Sequence, residues 1–170
     1  MNIKNLTIVA GAAVALAMTA GLATKSAYAT DGAATSTVTV VAPLTISETQ
    51  GIVFGSIAPS AAAGTATLDT SDGLTVSAAL EALTGTAPKS GAFDLTGEGT
   101  SNYSISLPTS VTMTSGGDSM TLNGFGHSAG GTPSLSGGTG SFTVGAVLNV
   151  DANQAAGTYS GPYTVTVNYQ

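Results

Sequence analysis

Residues 36–47 (STVTVVAPLTIS) place Val38, Val40, Ala42, Leu44 and Ile46 on one face of an extended chain. Thr37, Thr39, Val41, Pro43 and Thr45 fall on the other. A period of two marks a strand with one face on a core. The stretch predicts a strand of about 11 residues, longer than the usual ~5–6. Pro43 has no amide hydrogen to donate, which assigns the strand to an edge or to one-sided pairing at that point. Residues 161–170 (GPYTVTVNYQ) mirror it, setting Tyr163, Val165, Val167 and Tyr169 against Thr164, Thr166, Asn168 and Gln170.

Between these ends, shorter strands are expected over 52–57, 65–68, 74–79, 92–96, 103–107, 111–114, 119–122 and 142–150, most of them separated by Gly, Pro, Asn or Asp. Short strands at such spacing indicate a sandwich or barrel of antiparallel sheets. Residues 77–83 (SAALEAL) could form a helical turn or two, too short to change the class. The stretch 128–140 (SAGGTPSLSGGTG) is rich in Gly and Ser and is read as a flexible surface loop. No period of roughly 20–50 residues appears, which argues against solenoids and propellers.

The first 29 residues do not fit this pattern. Lys4, an apolar run from Leu6 to Ala23 and the small–x–small Ala27-Tyr28-Ala29 together read as a secretory signal. Gly11, Gly21 and Lys25 weaken the alternative of a membrane span, which needs about 20 strongly apolar residues. The expected organisation is a signal over 1–29, an N-terminal arm over 30–47 and one domain over 48–170, exported from the cytoplasm and with no stable membrane insertion after cleavage.

Export changes the charge balance. Lys4 and Lys25 leave with the signal, so Lys89 alone faces the nine acidic residues, and there is no Arg. Such a surface repels phosphate backbones and anionic lipid, so nucleic acid is not an expected partner. Charged residues make up 7% of the chain, against about 25% in ordinary globular proteins; Thr and Ser supply the polarity. With no cysteine, stability rests on packing and strand pairing.

Candidate chemistry is sparse. His127, the one histidine, lies beside the Gly/Ser-rich stretch and is read as a solvated loop residue; every Ser-His-Asp arrangement would have to run through it. Asp69 and Asp72 (DTSDG) could share a calcium ion, but the loop lacks the six to eight oxygens and closing Glu of a calcium site, and Asp-Gly is first a turn signal. Asn102-Tyr103-Ser104 is a weak glycosylation sequon. No catalytic, cofactor or metal residue is assigned, and no enzyme activity is expected.

Four segments together resemble a known group: TSTVTVVAPLTISE (35–48), GIVFGSIAP (51–59), GTSNYSISLP (99–108) and VGAVLNVDANQAAGTYSGPYTVTVNYQ (144–170). The chain is similar to a bacterial secreted family known as a domain of unknown function, itself similar to the spore-coat-protein-U-like pilins of archaic chaperone–usher fimbriae. Those pilins usually carry a disulfide near the first strand, which this chain lacks. The resemblance implies an immunoglobulin-like β-sandwich lacking its last strand, completed by the arm of another copy. Val38, Val40, Ala42, Leu44 and Ile46 would then be the donor side chains. Tyr163, Val165, Val167 and Tyr169 would line the groove edge and meet a chaperone first. The implied partners are other copies or related subunits, a periplasmic chaperone and an outer-membrane usher, at the cell surface. Two other readings stand beside the fibre subunit: a secreted monomeric module binding carbohydrate or surface polymer, and, more distantly, a hydrolase.

Overall fold

The computed structural model describes residues 32–170. The expected signal over 1–29 lies outside the described residues, as do Thr30 and Asp31. The chain divides after Val38 into two units; residues 32–38 carry no regular secondary structure, and the fold below is that of Thr39–Gln170.

Eleven strands and no helix are described, so the chain is all-β, as the alternation predicts. One strand organises it. β10 (Thr139–Val150) turns Phe142, Val144, Ala146, Leu148 and Val150 inward, all of them buried. Its first half pairs antiparallel with β6 (Gly91–Thr96), Phe142 opposite Phe93 and Val144 opposite Gly91. Its second half pairs with β3 (Gly64–Leu68), Leu148 opposite Ala66. Along the other edge runs β9 (Asp118–His127), from Val144 opposite His127 to Asn149 opposite Thr121.

β6 and β9 both pair Val144, and β9 and β3 both pair Leu148. β6 and β3 therefore follow one another along the same edge of β10. At the changeover sits Gly145, where the register with β9 slips. A Cβ there would run into the Leu68 carbonyl, so the close approach requires glycine. β1 (Thr45–Gln50) extends the sheet beyond β6, β4 (Leu74–Val76) beyond β3, and β8 (Ser110–Ser115) beyond β9, completing seven strands.

Two short antiparallel pairs form the facing layer: β7 (Tyr103–Ser106) with β11 (Thr166–Tyr169), and β2 (Ser56–Ala58) with β5 (Glu81–Leu83). Between the layers lie two apolar clusters. One gathers Phe93, Leu95, Tyr103, Leu135, Phe142 and Val144, with the Phe93 and Phe142 rings stacked at 5.3 Å. The other is built on Phe54, Leu68, Leu80, Leu122 and Leu148. The order β1–β6–β10–β9 against β7–β11 follows the A-B-E-D and C-F order of an immunoglobulin sandwich. In that fold a strand G pairs the far edge of F; among the described residues nothing pairs the far edge of β11.

Four local expectations change. The long strand expected over 36–47 begins only at Thr45, because alternation selects a face but a strand also needs a neighbouring edge to bond. The strand expected over 161–170 is formed only over Thr166–Tyr169, with the Gln170 amide adding a 3.0 Å bond to the Asn102 carbonyl, although its inward–outward alternation runs from Gly161. Residues 77–83 form a turn leading into β5, with no helical turn. The stretch 128–140 is pinned: Leu135, 2% exposed, plugs the first cluster, and its backbone is held by Tyr103 N–Pro133 O and Leu135 N–Ser101 O bonds of 3.0 Å. One leucine in a low-complexity stretch has no periodicity to reveal it.

Candidate functional site

Among the described residues β1 bonds only to β6, and β11 only to β7. Both nevertheless turn their apolar rows onto the same cluster: Leu44 and Ile46 from one side, Tyr163, Val165, Val167 and Tyr169 from the other. All six are only half-buried. An edge strand with a half-covered apolar row is a template for another strand, and proteins ordinarily cover such edges.

Side chains, not backbone, connect the two margins. The Tyr169 hydroxyl accepts a 2.6 Å bond from the Glu98 amide and donates at 3.0 Å to the Ala42 carbonyl. The Ala42 amide in turn donates to Glu98 Oε2 at 3.1 Å. Further along, the Tyr163 hydroxyl donates to Glu48 Oε1 at 3.4 Å. Burial first, then the Glu48 charge and that hydrogen bond, push the Tyr163 phenol well above its usual range, so it stays a donor. Glycines at either end of β6 make room for these rings: a Cβ on Gly91 would meet the Tyr163 hydroxyl, and one on Gly97 the Tyr169 hydroxyl.

The five residues expected to form a donor row divide at this margin. Leu44 and Ile46 dock on the chain's own core, Ile46 opposite Leu95. Upstream, Val38 and Val40 are 87% and 89% exposed, Val41 is 52% exposed, and Ala42 and Pro43 are exposed. Scattered surface apolar residues are ordinary, and each of these valines stands exposed by itself. The four residues expected at the groove edge are brought together by the fold. Sequence reasoning missed Glu48 and Glu98, which tie β1 and the root of the arm to the tyrosines; no linear pattern pairs residues so far apart.

The candidates for chemistry resolve otherwise. His127 ends β9, contrary to the expectation of a solvated loop position. Its ring lies edge-on to Phe142 at 6.3 Å, and its Nδ1 is buried without a partner. Asp69 makes the turn: its Oδ1 accepts from the amides of Ser71 and Gly73 at 2.7 and 2.8 Å. Asp72, at φ 69°, accepts instead from Lys89 Nζ at 2.8 Å and from the Ser90 amide and hydroxyl at 2.7 and 2.8 Å. The Lys89 bond foremost, then those from Ser90, lower its carboxyl to about 2. Among the described residues no group of three His, Asp or Glu is placed to hold a metal ion.

Fold and margin together define an antiparallel β-sandwich-like domain whose distinguishing feature is a pair of unpaired edges over one apolar row. Residues 44–169 match the family described as Domain of unknown function (DUF4402), and the chain belongs to that family. No curated protein and no solved structure matches it.

Proposed function

We propose that this protein is an exported structural subunit of a bacterial surface fibre, in which the arm upstream of β1 completes the sandwich of another copy. One observation carries the reading. β1 and β11 leave facing edges unpaired over a half-buried apolar row, while the same chain exposes Val38 and Val40 on an alternating segment. Strand addition uses main-chain hydrogen bonds for affinity and alternate side chains for specificity, and this chain carries both halves. Each large side chain buried adds roughly 1.5–3 kcal/mol before ordering costs. Because the donated and accepting surfaces differ, the contact is head-to-tail and repeats into an open filament. The resemblance to spore-coat-protein-U-like pilins favours the same role and adds a periplasmic chaperone that would cover Tyr163–Tyr169 in transit, with an outer-membrane usher for assembly.

The test is the oligomeric state of the purified, signal-free chain. Unboiled samples run in SDS are expected to show a ladder of multiples. Deleting residues 30–43, which leaves β1 whole, is expected to abolish it, and the corresponding peptide to raise the melting temperature of the truncated domain. A monomeric intact chain, with a truncated form equally stable and indifferent to the peptide, would overturn the proposal.

A further inference from the structure

On the side of the large sheet away from the core, the residues that alternate with buried ones face water, and strand pairing sets them in rows. One row crosses from β4 through β3, β10 and β9 to β8 and reads Thr75, Thr67, Val147, Asn123 and Ser110. The next reads Thr65, Asn149, Thr121 and Thr112. Neighbours within a row stand about 4.8 Å apart, and the two rows about 7 Å apart.

Among the described residues, these five strands bring no charged side chain to that face. Soluble surfaces ordinarily intersperse charges of both signs. Here the acids are held at the two ends of the strands instead. Asp69 lies in the β3–β4 turn at one end, and Asp118 and Asp151 lie at the other, where β9 begins and β10 has ended.

That distribution selects the partner. A cation would go to the rims, and an anion is repelled by them. An apolar partner finds only Val147 to cover, and no aromatic ring. A second copy stacked along the strands, in either direction, would set acidic rims against acidic rims. Hydroxyl and amide groups both donate and accept hydrogen bonds, so they pair with a partner of the same kind, uncharged and rich in hydroxyls. The step from strand to strand is also close to the length of one sugar in an extended β-linked glucan.

We infer that this face binds an uncharged, extended polysaccharide laid across the strands along the two rows. Each exposed hydroxyl contact replaces one with water and gains little, so attachment comes from repetition along the polymer. The inference needs only the folded domain and stands whether or not copies join into a fibre.

The test mixes the full signal-free chain with microcrystalline cellulose, spins the suspension and measures the protein left in solution. A parallel spin without cellulose subtracts whatever sediments by itself. Retention is expected, and equally so in low and high salt, because no charge takes part. A gel of anionic polygalacturonate is expected to retain none. Thr67→Glu combined with Thr121→Glu, both at exposed positions, should cut retention at least about tenfold, since the carboxylates would lose water on contact. Thr67→Val combined with Thr121→Val keeps shape and strand preference and should cut it roughly threefold through the lost hydroxyls. Thr86→Glu, exposed on the connection between β5 and β6, should leave it unchanged. A parent chain that stays in solution, is released by high salt or binds the anionic gel overturns the inference. Valine variants held more tightly than the parent, or a folded glutamate pair held equally well, overturn it too. An assembly of the chain alone that the glutamate pair breaks apart would mean that a second copy covers the face, and the polysaccharide falls.

Discussion

Along β10 the inward side chains Phe142, Val144, Ala146, Leu148 and Val150 are buried, whereas along the C-terminal segment Tyr163, Val165, Val167 and Tyr169 stay half exposed. The neighbours are polar along the C-terminal segment, while along β10 Gly145 and Val147 stand beside Thr143 and Asn149; both rows are β-branched or aromatic at most positions. They differ in neighbours. β10 bonds on both edges and lies beneath both apolar clusters, while β11 bonds on one edge and faces β1 across a gap that side chains bridge. A period of two thus selects which face turns inward; completeness of cover depends on how many strands are at hand.

The comparison yields measurable differences. Val144 is fully enclosed, so Val144→Asp strands a charge or an unpaired carboxyl in the core. We expect a loss of at least about 4 kcal/mol, seen as a chain already unfolded without urea. Leu135→Ala should cost about 2–5 kcal/mol in urea unfolding; a loss under about 0.5 would mean that the Gly/Ser-rich stretch is surface loop after all. In the monomeric chain Val167→Ala should cost about 1 kcal/mol, against roughly 2 for Val144→Ala, since fewer contacts are forfeited at the margin. Equal costs would show the margin to be as well covered as the spine.

The smallest effect concerns Asp72. Its carboxyl is lowered to about 2 by Lys89 and Ser90, from about 3.9 in an unfolded chain. The folded state therefore binds the proton less readily, and the contribution is present above about pH 4. It is lost as pH falls towards 2. Asp72→Asn should flatten that part of the pH–stability curve, measured by thermal unfolding between pH 2 and 6.

The alternation of the chain by itself determined much of this protein: an all-β class and the sidedness of Tyr163–Tyr169. These are local matters, because successive side chains on an extended backbone point to opposite sides whatever surrounds them. The aspartate turn was equally legible, since Asp69 bonds amides only a few residues away. Tertiary structure alone decided the rest. It divided one uniform row between a docked Leu44 and Ile46 and an exposed Val38 and Val40, according to where β6 ends. It buried Leu135 out of a stretch composed like a linker and placed His127 against Phe142. It also joined Ala42 to Tyr169 and Glu48 to Tyr163 across almost the whole length of the domain. Such choices depend on which distant edges lie within hydrogen-bonding reach, and no local pattern encodes that distance.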